Sequence, residues 1–315
     1  MTTTTTPRGV ERPLTGPAAT KAVRKAFSGS FASVLAVAIG VLWTVPVFGL
    51  FINSFRSKAD AASTGWWEFF VHPSFSLSAY QSVLFDSTKG SLLLPVVNSL
   101  AITIPATIIP IFIASMAGYS LAWMRFKGSD AIFFGFFALQ VVPLQMALVP
   151  LQQYYVHGLQ IGGFTVLPSP GVNGTLAQVW LTHTMFSLPL AVFLLHNFIA
   201  QIPSSLIEAA RIDGASHLRI FRSIVLRLSM PAIASFSIFQ FLWVWNDLLV
   251  AKIFGPSSTP QQPVTAAVQN MLGTYGAHME YLAPAAFVST VVPLIVYFAM
   301  QRYFVRGMLA GSVKG

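Results

Sequence analysis

SSLIEAARIDGASHLRIFRSI, from Ser204 to Ile224, is the segment on which the reading of this chain turns. It begins at the end of a 77-residue run, Ala131 to Ile207, that contains no Asp, Glu, Lys or Arg. It then supplies Glu208, Arg211, Asp213, Arg219 and Arg222 within fifteen positions. Pro203 suits a first helical turn, and Ser205 with Glu208 three residues later matches a capping box. Asp213-Gly214 is a break signal. Beyond it, Leu218, Phe221, Val225 and Leu228 recur at helical spacing, with Arg219 and Arg222 on another face. The pattern predicts a short helix, a glycine turn, and a second amphipathic helix running into the next apolar segment. Such an insert is a solvated hinge, an active site or a docking surface, and its surroundings decide which.

Those surroundings are apolar. Of 315 residues 55% are hydrophobic and 9% charged, with 27 Phe and 7 Trp. Soluble chains carry about 25% charged residues, so a soluble fold of this size could not cover its surface, whereas a lipid-solvated one can. The formal charge of +9 would point a soluble chain toward nucleic acid; here 18 Lys and Arg are spread over short loops, which argues against that partner. The absence of cysteine excludes disulfides, thiolate catalysis and Cys-ligated metal.

Six apolar spans are expected, giving an all-α polytopic membrane protein: about Phe31–Ile52, Leu92–Trp123, Ala131–Tyr155, Leu176–Ile199, Leu228–Val250 and Tyr281–Gln301. Pro95, Pro105 and Pro110 predict a kink in the second or a short turn before it. GLQIGGFTVLPSPGVNGT divides the charge-free run as a loop, in which Asn173-Gly174-Thr175 reads as a turn rather than a glycan acceptor. Trp66, Trp67, Phe69 and Phe70 suit an interfacial band. Residues 1–26 are polar and basic, a disordered head, and the following apolar stretch is too long for a signal peptide. With the N-terminus inside, Arg56, Lys58, Lys89 and Lys252 fall outside and the other fourteen of the 18 cations inside. The positive-inside rule then places both termini, and the 204–224 segment, in the cytoplasm.

No catalytic constellation emerges. His183 and His196 share one span but sit about 20 Å apart along a helix, no histidine pattern has metal-ligand spacing, and no phosphate-binding glycine loop is present. If ATP is used, the ATPase is another chain. Within the spans, Asn98, Gln140, Trp243, Trp245, Asn246 and Asp247 are the residues worth testing as a solute pathway. Two readings stay open for the last four. Trp243 or Trp245 stacks on a sugar face while Asn246 and Asp247 accept its hydroxyls, or they form an interfacial belt that caps and bonds a neighbouring helix. Residues 243 and 245 do not share a helix face, so at most one lines a pore. A secondary carrier would want a buried carboxylate pathway, for which Asp247 is nearly the sole candidate. A membrane-embedded transferase would need an acid or base cluster, and none is found.

EAARIDG at Glu208–Gly214, followed by Ile224 and Leu226, resembles the EAA loop of permease subunits of binding-protein-dependent ABC importers. FLWVWND at 241–247 and the ending QRYFVRGMLAGSVKG resemble the carbohydrate branch, the maltose and alpha-glucoside type. The resemblance spans nearly the whole chain after residue 30. It implies a type I ABC importer permease fold: a permease domain over 27–315 with a coupling loop at 200–224 that inserts into a homodimeric cytosolic ATPase. Glu208, Ala209, Ala210 and Gly214 match the core of the motif, with Arg211 and Asp213 in its flanks. The resemblance further implies a second, nonidentical permease subunit and an extracytoplasmic sugar-binding protein. ATP and Mg²⁺ would lie in the partner ATPase with no cofactor on this chain, the sugar would be an alpha-linked disaccharide or short oligosaccharide, and the site the cytoplasmic (inner) membrane. Residues 301–315 would lie near the ATPase. Arg227 stands where the family motif carries a proline, which removes a helix-start signal and puts the entry into the fifth span in question.

Overall fold

The computed structural model describes residues 30–86, 91–124, 126–256, 261–272 and 279–312. The head at 1–26 and the side chains past Gln301 lie outside the described residues. Helix α1 (Ser30–Ser54) is followed by α2 (Lys58–Ser63), a 3₁₀ turn at Trp66–Phe70 and α3 (Ser78–Phe85). Next come α4 (Leu93–Trp123), α5 (Ser129–Leu139) and α6 (Leu144–His157), then a hairpin of β1 (Leu159–Ile161) and β2 (Phe164–Leu167). The chain continues with α7 (Leu176–Ile199), α8 (Ser204–Ile212), α9 (His217–Asn246), α10 (Leu249–Phe254), α11 (Val264–Leu272) and α12 (Leu282–Ser312). Helices α1, α4, α7, α9 and α12 are long and apolar enough to cross a bilayer.

The span expected at 131–155 is not one helix. Helices α5 and α6 are bent against each other by 104° at residues 140–143. Pro143 has an extended backbone (φ −60°, ψ 129°), has no N–H to give a preceding turn, and disfavours helical geometry at Val142. Two indole hydrogen bonds show that the bent pair still returns the chain across the bilayer. Trp180 Nε1 donates to Ala101 O (2.9 Å) near the starts of α7 and α4, and Trp123 Nε1 donates to Ile199 O (3.2 Å) at their ends. Helices α4 and α7 therefore run parallel, so the segment between them must recross. The protein is an all-α polytopic membrane protein with six crossings, the third of them broken.

Helices α4, α7 and α9 form the centre, with α12 and α1 outside them. Gly118 lets α4 approach α7: a Cβ there would lie 3.0 Å from His196 N. Small residues at such contacts are what permits close packing where lipid supplies no hydrophobic drive. Buried Ser99, Ala106, Ala114 and Ser115 line the same helix. Despite Pro105 and Pro110, α4 is one unbroken helix of 31 residues. At about 1.5 Å per residue it exceeds the roughly 30 Å hydrocarbon core.

Three further expectations change. The predicted loop after α6 contains the antiparallel hairpin, closed by Gly162 (φ +59°) and Gly163 (φ +83°), the left-handed pair that a two-residue hairpin turn requires. The fifth span starts eleven residues before Leu228, at His217, and ends at Asn246 rather than Val250. Its first turns include a π segment, Phe221–Val225, in which Leu226 N–H donates to Phe221 O. The extra residue rotates the rest of the helix by about 100°. Ile220, Phe221 and Val225 are buried, while Leu218 and Leu228 stay exposed, so the even stripe predicted at 218–228 is only half realised. Arg227 is an exposed residue inside this continuous helix. The helix has already started at Ser216, whose Oγ accepts the Arg219 N–H (3.4 Å), so no start signal at 227 is needed.

Candidate functional site

Two regions concentrate the residues singled out by sequence. The first is the 204–224 segment, which projects as a knob where α4 and α7 end. Ile207 and Ile220 are buried in a cluster with Tyr119, Leu195, Ile199 and Phe221. Tyr119 Oη lies 3.0 Å from His217 Nδ1, and Arg211 Nη2 donates to Trp123 O (3.3 Å). The base is thereby tied to α4 and α7. The expected capping box does not form: α8 begins at Ser204, Pro203 occupies the cap, and no side chain caps the helix. Ser205 is already inside the first turn. At the other end Gly214 (φ +74°) reverses the chain, and Ala215 N–H reaches back to Ala210 O (2.9 Å), a helix-terminating wrap that needs a left-handed residue. Glu208, Ala209, Arg211, Asp213 and Gly214 are exposed and Ala210 is half-buried. Ile212 stands 86% exposed at the turn, flanked by Leu206 and Leu218.

The second region is a cleft of about 660 Å³. Residues 139–144, the bend between α5 and α6, form one wall, with Tyr154 of α6, Met185, Phe186 and Pro189 of α7, and Trp243 of α9 completing it. The proline that breaks the third span thus opens this space. Gln140 and Trp243, far apart in sequence, meet here. The other residues named for a solute pathway have different neighbours. Trp245 is buried, stacks on Phe241 (5.9 Å, 14°) and donates from Nε1 to Ser289 O of α12 (3.0 Å). Asn98 Nδ2 donates to Gln262 O (3.1 Å) and Asn246 Nδ2 to Leu242 O (2.8 Å).

Asp247 breaks α9 from α10. Its Oδ2 accepts the Ala251 N–H (3.0 Å), its backbone O accepts Thr265 Oγ1–H (2.9 Å), and Oδ2 lies 3.7 Å from His183 Nε2. His183 is fully buried on α7 and meets the Trp243 ring edge-on (6.2 Å, 81°). Sequence reasoning gave His183 no partner because Asp247 is 64 positions away in the chain. The single signal was an ionisable side chain within an apolar span.

Comparison with known proteins places this geometry. Residues 110–310 match the family described as the binding-protein-dependent transport system inner membrane component. The osmoprotective compounds uptake permease protein GgtD of Synechocystis is 48% identical over 280 residues, covering 88% of this chain and 89% of that protein. The alpha-glucoside transport system permease protein AglG of Rhizobium meliloti is 49% identical over 244 residues, covering 77% of this chain and 61% of that protein, under two thirds of its length. Among solved structures, a bacterial ABC transporter involved in alginate import superposes with a TM-score of 0.66 at 19% identity, covering 93% of this chain and all of that one. At that identity the likeness speaks for the fold. The family match covers more than half of the chain, and it coincides with six crossings and a knob carrying EAARIDG: this chain belongs to the family of inner membrane components of binding-protein-dependent transport systems.

Proposed function

We propose that the chain is the permease subunit of an ATP-driven importer that moves a sugar, an alpha-linked disaccharide or short oligosaccharide, across the cytoplasmic membrane. The observation that carries this reading is the 49% identity to an alpha-glucoside transport permease. The cleft supports it: its wall is largely apolar and aromatic, with Trp243, Tyr154 and Gln140 as its hydrogen-bonding side chains, the composition expected of a site that stacks a sugar face and fixes a few hydroxyls. The knob, through Glu208, Ala209, Ala210, Arg211, Asp213 and Gly214, docks on a separate homodimeric ATPase that holds ATP and Mg²⁺. Ile212, Leu206 and Leu218 supply an exposed apolar contact. A second permease subunit completes the channel, and an extracytoplasmic binding protein delivers the solute. The knob side of the molecule, where α1 begins and α12 ends, is cytoplasmic.

A second reading of the solute, an osmoprotective compound, is favoured by the 48% identity to GgtD over most of both chains. One measurement separates them: stimulation of ATP hydrolysis in the reconstituted complex by maltose or by glycine betaine, each with the binding protein present. The sugar reading expects maltose to stimulate and glycine betaine to be silent. Stimulation by glycine betaine alone would overturn it.

A further inference from the structure

The buried imidazole of His183 is not accounted for by transport as described so far. It lies within the α7 span at 1% exposure, where an ionisable side chain is costly to keep. Its Nε2 faces a carboxylate oxygen of Asp247. The 3.7 Å separation from Asp247 Oδ2 is within ion-pair range yet longer than a hydrogen bond. Nδ1 is buried with no hydrogen-bond partner among the described residues. A buried polar group held this way calls for an explanation other than packing.

Its neighbours supply one. The ring abuts Trp243, which also lines the cleft. It also approaches Asp247, which holds the first turn of α10 through the Ala251 amide and the start of α11 through Thr265. These are the segments at the end of the molecule opposite the knob. Closing the α9–α10 corner by about half an ångström would bring His183 and Asp247 into hydrogen-bond range, and the ring cannot follow such a movement without shifting against Trp243. We propose that His183 is a positioning residue for transport: it couples the outer-end segments α10 and α11, through Asp247, to the orientation of Trp243 in the cleft. The proposal rests on the reading of Trp243 as a solute contact.

The test uses the complete complex in liposomes and two readouts. The first is initial maltose uptake. His183→Asn, which cannot reach Asp247, raises the half-saturating maltose concentration by roughly three- to tenfold, with a smaller change in maximal rate. His183→Gln, whose amide nitrogen stands near the Nε2 position, restores most of it. Asp247→Asn acts like His183→Asn, and the double variant is no worse than either alone. The second readout does not depend on the solute. The chain has no cysteine, so Ala147→Cys, on the α6 wall of the cleft, gives one labelling site read by the mass of this chain. Its reaction rate with a soluble thiol reagent shifts by roughly the same factor in His183→Asn and returns in His183→Gln. Additive effects at 183 and 247, or equal behaviour of Asn and Gln in both readouts, would overturn the proposal. If the wild-type complex takes up no maltose while the labelling pattern holds, the sugar assignment fails and the positioning role stands.

Discussion

At Gly214 the backbone sits at φ +74°, and a Cβ there would meet nothing within 4 Å. Any cost of a side chain is therefore conformational, about 1–2 kcal/mol, and falls on the direction in which the knob turns rather than on packing. Gly214→Ala is expected to leave expression and membrane insertion intact and to reduce the ATPase recovered with the detergent-solubilised chain. Undiminished recovery would mean that the turn does not set the docking surface. The two tryptophans of FLWVWND give a sharper contrast. Trp245→Ala removes a stacked ring and the bond to Ser289 O, a loss of about 3–5 kcal/mol that appears as a lowered thermal transition. Trp243, half-buried on the cleft, has less packing to lose. Trp243→Ala should lower uptake with a smaller shift in melting temperature, and the reverse ranking would contradict the division of roles.

Among the helices, the α4–α7 contact is where sequence detail matters most. Gly118→Leu would drive a side chain into the backbone of His196, which cannot yield as a flexible side chain would. The expected destabilisation is about 1–3 kcal/mol, measured as loss of thermal stability in detergent, and an unchanged transition would show that the helices separate at no cost. Most elements could be read from apolarity and punctuation, because in lipid a helix must be long, uncharged and internally bonded. The glycine turn at 214 was legible for the same reason that it works: glycine adopts that left-handed backbone at the least cost. The break at 140–143 was not, since it lies inside 77 uncharged residues, although Val142-Pro143 carried the signal. Gly162-Gly163 between two short apolar runs was likewise a hairpin signature that a loop reading passed over. The π turn before Arg227 has no sequence mark, because one extra residue in a helix is decided by how α9 packs. The cleft was half legible. Gln140 and Trp243 stood out as polar or aromatic groups in spans, but their meeting depends on the bend, and the His183–Asp247 approach depends on three helices at once.

For the whole molecule, parallel α4 and α7 fix six crossings and set the knob and the hairpin at opposite ends. The absence of cysteine makes this directly testable. Ile212→Cys and Phe164→Cys, at two of the most exposed side chains, are expected to react with a membrane-impermeant thiol reagent from opposite faces, Ile212→Cys from the cytoplasm. Labelling of both from one face would contradict the crossing of the bent pair. The division of labour is the larger claim. In the proposed function this chain provides the path and the knob, and the energy comes from a partner. The most direct test is uptake of radiolabelled maltose into liposomes, with the chain alone and with its partner permease, ATPase and binding protein. Accumulation that requires all components and internal ATP is the predicted result. Accumulation by this chain alone, driven by an ion gradient, would contradict it.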